Sequence, residues 1–412
     1  MRHTLILILA FLAFPALGKP RDRNKPALPD CRFEAFDPAG EQSRAEKTAA
    51  MAKQAGLHVW KPNSPSYTRK VVGSRTVRGK RVKVFGYFDE AGKQLAGKKL
   101  ADLLQRLKDN KHTIPPNWSE VKITIDPLAH VQIRGRDDQG RSQELRHPEW
   151  TRVSNLHKFD LNIHFGTVLS QIRKSALSDL QETEPTKRKA LAALLLLMDA
   201  TQIRVGNESS AKDGKFGLTT LEKKHFKLDG DTIQFDFHGK HDVKNESERD
   251  LRPELTAALR DLRRLPGDRL FQYRDPQGRL RQLTADDFNS YLGLVSGNGF
   301  TAKNFRTWWA TRMALEYLTY EPFPKTEKEK KAVWKEAVDG AAGFLNNNPS
   351  EAERSYIDPI VKEVYFNNPE AVFAAFDRRP GRLPSEVESG EVATLRFLQE
   401  QRARLGVSEI DD

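Results

Sequence analysis

The chain has 412 residues, of which 38% are hydrophobic and 30% charged; that apolar content excludes a disordered chain, and the length is enough for two or three domains that each bury a core. Lysine and arginine outnumber aspartate and glutamate 68 to 56, a formal net charge of +12, which points to a polyanion: nucleic acid, or less often an anionic membrane surface. Cys31 is the single cysteine, so an intrachain disulfide and a cysteine-rich zinc site are excluded.

Residues 1–18 have the form of a secretory leader. Arg2 and His3 precede an apolar run from Leu5 to Phe14, Pro15 interrupts it, and Ala16-Leu17-Gly18 offers small residues for cleavage. This reading predicts export to the periplasm; the alternative places the true start at Met51. The run is too short to cross a bilayer and no other reaches that length, so no integral membrane segment is expected after its removal. Residues 19–49, rich in charge and proline, read as a linker. From about 50 to 147 the pattern is β-like. Val82, Val84 and Phe85-Gly86-Tyr87 follow the basic turn Arg78-Gly79-Lys80, and Val121 to Ile125 and Val131 to Ile133 alternate. Asp89 to Gly92 and Asp137 to Gly140 are turn signals, and Leu100 to Leu107 between them reads as a helix.

From about 150 the period becomes helical. Phe159 to Ile172 is apolar at helical spacing. Pro185 marks a helix start, and Ala190 to Met198 is apolar all round, so that helix belongs at the centre of a core. Ile233, Phe235 and Phe237 form a strand. Further helices are expected over 253–264, 285–296, 301–319, 328–342 and 351–366. The fold class is therefore α+β: a small β-rich N-terminal domain over 50–147 and a larger, mainly α-helical domain over 150–412.

The ten histidines do not adopt a metal-ligand spacing such as HExxH, and neither a Walker-type phosphate loop nor GxGxxG occurs, so the sequence predicts chemistry without metal, nucleotide or other cofactor. Arg204, Lys240, Arg306 and Tyr356 stand out for chemistry, each with a plain structural alternative. Arg204 follows the central helix, where a cation is expensive to desolvate without an anion; the alternative is an ion pair with Asp199. Lys240 closes the strand of Ile233 to Phe237 and sits at a hairpin tip, where it either reaches a phosphate or is an ordinary turn lysine. Lys303 and Arg306 lie together at a helix start, where the dipole also favours anions, while Phe305, Trp308 and Trp309 pack inward; the alternative is an amphipathic helix with a basic face. Tyr356 follows a capping box of Ser350 and Glu353 and falls in the second turn of a short helix; its position alone does not single it out among eight tyrosines.

The order in which the segments follow one another is more specific than any of them. Ile203-Arg204-Val205-Gly206-Asn207, Gly217 to Leu221, Gly239-Lys240, Leu265 to Tyr273, Phe300 to Trp308, Asn347-Asn348-Pro349 and Arg354 to Pro359 together resemble the type IB DNA topoisomerases of the bacterial and poxvirus-like branch. Ile114 to Trp118, His130 to Asp137 and His147-Pro148 resemble that family's N-terminal strands, so the likeness covers roughly residues 55–365. The resemblance implies a clamp of two lobes on duplex DNA, with a catalytic domain of the tyrosine recombinase and topoisomerase IB type, acting as a monomer. It implies Tyr356 as a nucleophile forming a 3′-phosphotyrosyl link, Arg204 and Arg306 on the non-bridging phosphate oxygens, and Lys240 as general acid. It places Asn347 where poxvirus and nuclear members carry a histidine, and it implies DNA contacts from Arg136, Gly206, Asn207, Thr219 and Lys303. Such an enzyme acts in the cytoplasm or nucleoid, at odds with a leader. In one departure, Glu144 and Arg146 stand where family members commonly carry tyrosines placed to contact DNA. A tyrosine recombinase is the nearest alternative, but recombinases usually place a histidine where this chain has Lys303. A non-catalytic, exported DNA-binding relative is the other; against it, all four of Arg204, Lys240, Arg306 and Tyr356 are present.

Overall fold

The computed structural model describes residues 41–297, 299–320, 323–377 and 386–404. The leader-like segment, the linker up to residue 40, Cys31 and the acidic tail Glu409-Ile410-Asp411-Asp412 lie outside these residues. The first element, α1 (Glu41–Gln54), is helical where composition pointed to a linker up to residue 49. Ala52 and Leu57 bury against Trp150, and packing of this kind supplies helix stability that local propensity does not display.

Next come β1 (Ser66–Val77), β2 (Lys80–Phe88), α2 (Gly97–Asp109), β3 (Ser119–Thr124), β4 (Val131–Arg136) and β5 (Ser142–Arg146). The strands form one antiparallel sheet in the order β2-β1-β3-β4-β5. Val121, Ile123 and Ile133 project from one face and close a small core with Leu95, Leu103 and Leu107, as their alternation requires. Arg69 is buried under this sheet and donates to the carbonyls of Ile114, Pro115 and Trp118 at 2.8–3.1 Å.

The second core is built on α3 (Pro148–Asp179) and α4 (Lys187–Thr201). His147 caps α3 by accepting from the Glu149 amide at 3.1 Å, and Pro148 fills the first position. Every residue from Ala190 to Met198 is buried, in keeping with a run that is apolar all round. Gln202 ends α4 in the left-handed conformation, φ 56°. The short α5 (Glu208–Lys212) precedes a three-stranded antiparallel sheet, β6 (Phe226–Asp229), β7 (Thr232–His238) and β8 (Lys244–Asp250). A single 3-10 turn, Lys240–Asp242, joins β7 to β8. There follow α6 (Pro253–Arg263), the hairpin β9 (Gln272–Arg274) and β10 (Leu280–Gln282), α7 (Ala285–Ser296), α8 (Ala302–Tyr320) and α9 (Glu327–Phe344).

The helix expected over 351–366 is two helices, α10 (Pro349–Ser355) and α11 (Pro359–Asn367). Asp358 caps α11 by accepting from the Ile360 amide at 3.0 Å, with Pro359 at its first position, and the residue before a proline is disfavoured in a helix. Tyr356 therefore stands at the C-cap of α10, in the break, and not within a helical turn. The cap of α10 is Asn348, which accepts from the Glu351 amide at 2.8 Å, in place of the expected Ser350 and Glu353 pair.

The chain ends in α12 (Pro369–Asp377) and α13 (Ser389–Arg404). Ionic contacts fasten α13 onto the helical core. Arg173 of α3 pairs with Asp199 at 2.6 Å and with Glu391 at 2.7 Å. Arg402 lies between Asp160 at 3.1 Å and Asp358 at 3.2 Å, two residues beyond Tyr356. Burial pushes the Asp358 carboxyl up to about 6 against the pull of Arg402. A carboxyl raised above its unfolded value of about 3.9 contributes stability below that value, and this is lost as the pH rises through its folded pKa. Arg402→Ala strips the cation from two carboxylates. It is expected to destabilise by about 3–5 kcal/mol near pH 7.5 and by less near pH 5, where Asp358 takes up a proton. Thermal melts of both proteins at the two pH values measure this, and an equal loss at both would contradict it.

Candidate active site

Three consecutive asparagines assemble the site, each by a different bond. Asn346 adopts a positive φ of 50°, which asparagine tolerates better than most residues, and its amide donates to the Lys244 carbonyl and to Asn245 Oδ1, both at 2.9 Å. That ties the β7–β8 hairpin, and Lys240 at its end, to the segment before α10. Asn347 accepts through Oδ1 from Arg204 Nη2. A guanidinium has only donors, so the amide oxygen must face Arg204, and Nδ2 is left buried with no partner among the described residues. Asn348 caps α10.

Tyr356 is half-buried. Its carbonyl accepts from Thr311 Oγ1 at 3.2 Å, and the same hydroxyl accepts from the Asp358 amide at 3.0 Å, so one side chain of α8 holds the backbone on both sides of Ile357. Lys158 of α3 donates to the Ser355 carbonyl at 3.3 Å. The Arg306 guanidinium lies 5.1 Å from the centre of the Tyr356 ring, and Lys303 Nζ lies 5.9 Å from it. Burial alone would raise the phenol; Arg306, through its charge and a hydrogen bond, and then Arg204 and Lys303 outweigh burial and hold it below the ordinary phenol value. Lys158 is pushed down to about 8, by burial first and then by Lys303.

The buried arginines of the helical core divide into two kinds. Arg173, Arg312 and Arg402 are buried and each meets carboxylates. Arg306 is buried, yet it donates to the carbonyls of Gln202 and, at 2.9 Å, of Leu345. Among the described residues neither Arg306 nor Arg204 has an acidic partner, and Asp199, the alternative partner for Arg204, is taken by Arg173. Burial, then the neighbouring Arg204 charge, lower Arg306 to about 10. Two adjacent guanidiniums without a carboxylate are what an incoming anion neutralises. Beside them is a cavity of about 110 Å³ whose lining includes Arg204, Lys240, Lys244, Arg249, Arg306 and Asn346. Lys240 is exposed at the 3-10 turn.

The structure thus brings Tyr356, Arg204, Arg306, Asn347 and Lys303 together, with Lys240 on the cavity rim. The other expected contacts fare differently. Gly206, at φ +85°, meets Gly217 so closely that a Cβ on Gly217 would fall 2.6 Å from the Arg204 carbonyl; the two glycines allow the Arg204 loop to close on itself. Asn207 uses its side-chain oxygen to cap α5, accepting from the Ser210 amide at 2.9 Å. Thr219 is buried and donates to the Val205 carbonyl at 2.8 Å, which makes it a brace for that loop instead of an exposed contact. Arg136 lies in the other sheet and is held by Glu120 at 2.8 Å. Glu144 pairs with Arg134 at 3.4 Å and with Arg146 at 3.1 Å, so the charges of β5 are largely matched within the sheet. Trp309 is only half-buried, whereas Phe305 and Trp308 are in the core. Sequence reasoning missed Thr311, Lys158 and Asn346. The first two carry no local signal; for Asn346 the run of asparagines was the signal, without a means of dividing the roles.

Residues 147–362, from the N-cap of α3 through the tyrosine segment, match the family model described as eukaryotic DNA topoisomerase I, catalytic core. DNA topoisomerase 1B of Acanthamoeba polyphaga mimivirus is 28% identical over 275 residues, covering 63% of this chain and 80% of that protein. DNA topoisomerase 1 of Schizosaccharomyces pombe is 27% identical over 202 residues, 48% of this chain but 24% of that protein. DNA topoisomerase 1 of Daucus carota is 26% identical over 158 residues, 37% of this chain and 19% of that protein. The matched segment is more than half of the chain and holds Tyr356, Arg204, Arg306 and the hairpin lysine, and the chain accordingly belongs to the type IB DNA topoisomerases, the family of the eukaryotic topoisomerase I catalytic core.

Proposed function

We propose that this protein relaxes supercoiled duplex DNA by breaking and rejoining one strand through Tyr356, without ATP. The observation that carries this reading is the phenol of Tyr356 set against two arginines that have no carboxylate partner among the described residues. A phenol with a pKa of about 10 is a weak nucleophile at neutral pH, and the surrounding cations favour its phenolate. Attack on a phosphodiester builds charge on the non-bridging oxygens. The forks of Arg204 and Arg306 and the free amide of Asn347 supply donors for them. The departing 5′ oxygen needs a proton, and Lys240, at the end of a hairpin pinned by Asn346, is the general acid. The product is a 3′-phosphotyrosyl link. It conserves the energy of the bond broken, so the 5′ hydroxyl restores the strand by the reverse reaction and no nucleotide is consumed.

In this reading the β-rich and helical lobes close on the duplex as a clamp, one monomer per site. Backbone contacts dominate, sequence preference is slight, and affinity falls steeply with salt. The test is relaxation of plasmid carrying positive or negative supercoils, in EDTA and without ATP. Loss of both kinds of supercoil is expected. A strict need for ATP and magnesium would overturn the reading.

A further inference from the structure

The β1–β2 hairpin is longer than the sheet that anchors it. Only Ser66 to Thr68 of β1 pair with β3. Beyond them β1 and β2 pair with each other alone, out to Val77 opposite Lys80. Every residue from Lys70 to Lys83 is exposed, a two-stranded ribbon about 20 Å long at 3.3 Å per residue. Ser66 to Phe88 holds seven basic residues and no acidic one. Arg69 is buried at the base; Lys70, Arg75, Arg78, Lys80, Arg81 and Lys83 are not, and none of these six forms an ion pair among the described residues. The arginines on and beside β4 and β5 differ, since Arg134, Arg136, Arg141 and Arg146 are each matched by a carboxylate.

The tip adds a second observation. Arg78 and Gly79 both have positive φ, 49° and 76°, the geometry of a two-residue turn that favours Asn-Gly. An arginine there is strained by about 1 kcal/mol, so this sequence carries a cation at the tip against local preference. Blunting of an exposed sheet edge would explain some charge, but not cations on both faces. The register places Arg75 and Lys80 on one face with Val77 and Val82, and Arg81 and Lys83 on the other with Ser74 and Thr76.

We infer that this ribbon is a separate DNA-gripping arm, which lays its cations along the phosphate backbone away from the cleavage site. A two-stranded ribbon is narrow enough to enter a major groove, and charge complementarity selects the phosphate backbone as its partner. That the polyanion is DNA rests on the proposed function. The arm adds electrostatic affinity and leaves the chemistry at Tyr356 untouched.

The experiment replaces Arg75, Arg78, Lys80, Arg81 and Lys83 together by glutamine in the full chain. Binding to a 40-base-pair duplex is then followed from 50 to 300 mM salt. The slope of log affinity against log salt is expected to become shallower by about 2–4, since each phosphate contact contributes about 0.9, and affinity at 150 mM salt is expected to fall at least tenfold. Single-turnover cleavage at saturating protein should stay within about twofold. Arg75→Lys, Arg78→Lys and Arg81→Lys together should retain the wild-type slope. An unchanged slope in the glutamine variant overturns the arm. So does a loss confined to binding of phosphatidylglycerol vesicles, which would make the ribbon a membrane contact. A shallower slope in the glutamine variant, alongside a wild-type protein that binds but never cleaves DNA, would instead overturn the proposed chemistry and leave the arm standing.

Discussion

Tyr356→Phe is expected to abolish plasmid relaxation, with a loss of at least about 10⁴-fold, while duplex binding stays within about twofold of wild type. The phenol oxygen is the only atom removed. The backbone around it is held by Thr311 through the Tyr356 carbonyl and the Asp358 amide, and both bonds survive the substitution. The ring remains against Arg306. On the proposed function, the variant therefore keeps its fold and its duplex-binding surface and loses the proposed nucleophile together with its hydrogen bond to Arg306. Gel relaxation and a binding isotherm on the same preparation separate the two properties. Relaxation at the wild-type rate would remove Tyr356 from the chemistry.

Arg306→Met is expected to separate activity from stability. Relaxation should fall by about 10²–10³, the usual effect of deleting one donor to a developing oxyanion. The residual activity should also shift to higher pH, because Arg306 is the foremost of the cations that lower the Tyr356 phenol. Stability should remain within about 1 kcal/mol of wild type. The sign follows from linkage. Burial and Arg204 depress Arg306 to about 10, so a contribution present above its unfolded pKa is lost as the pH falls through 10, and at neutral pH the folded protein bears the cost of an unmatched buried cation. Removing the cation relieves that cost and leaves the carbonyls of Gln202 and Leu345 without their donor, an opposing term of about 1–3 kcal/mol. Arg402→Ala has no such offset, because Arg402 serves Asp160 and Asp358. A matched pair of thermal melts and relaxation assays decides the point. Arg306→Met melting as early as Arg402→Ala would assign Arg306 to the scaffold.

Much of the architecture is legible in the sequence because period and burial agree. Ala190 to Met198 could belong only to a central helix, and the alternation of Ile233, Phe235 and Phe237 could belong only to a half-buried strand. Helix α1 escaped because Ala52 and Leu57 gain their partner, Trp150, from a distant part of the chain. The break at Tyr356 carried a readable signal in Asp358-Pro359, a cap followed by a proline at the first helical position. It was obscured by apolar residues that continue at helical spacing on either side. Arg204 and Arg306 could be named from the ordered motifs, but their lack of carboxylates could not, because that depends on Asp199 pairing with Arg173. The division of labour among Asn346, Asn347 and Asn348 lies in their dihedrals and neighbours, which composition does not encode.

On the proposed function, Tyr356 takes the 3′ phosphate of the broken strand. This is tested most directly by trapping the reaction with denaturant in EDTA, digesting the protein and sequencing the peptide that carries the nucleotide. A single adducted peptide is expected, with a 3′-terminal nucleotide esterified to Tyr356. An adduct on another residue, a linkage to a 5′ phosphate, or cleaved strands with no protein attached would contradict it.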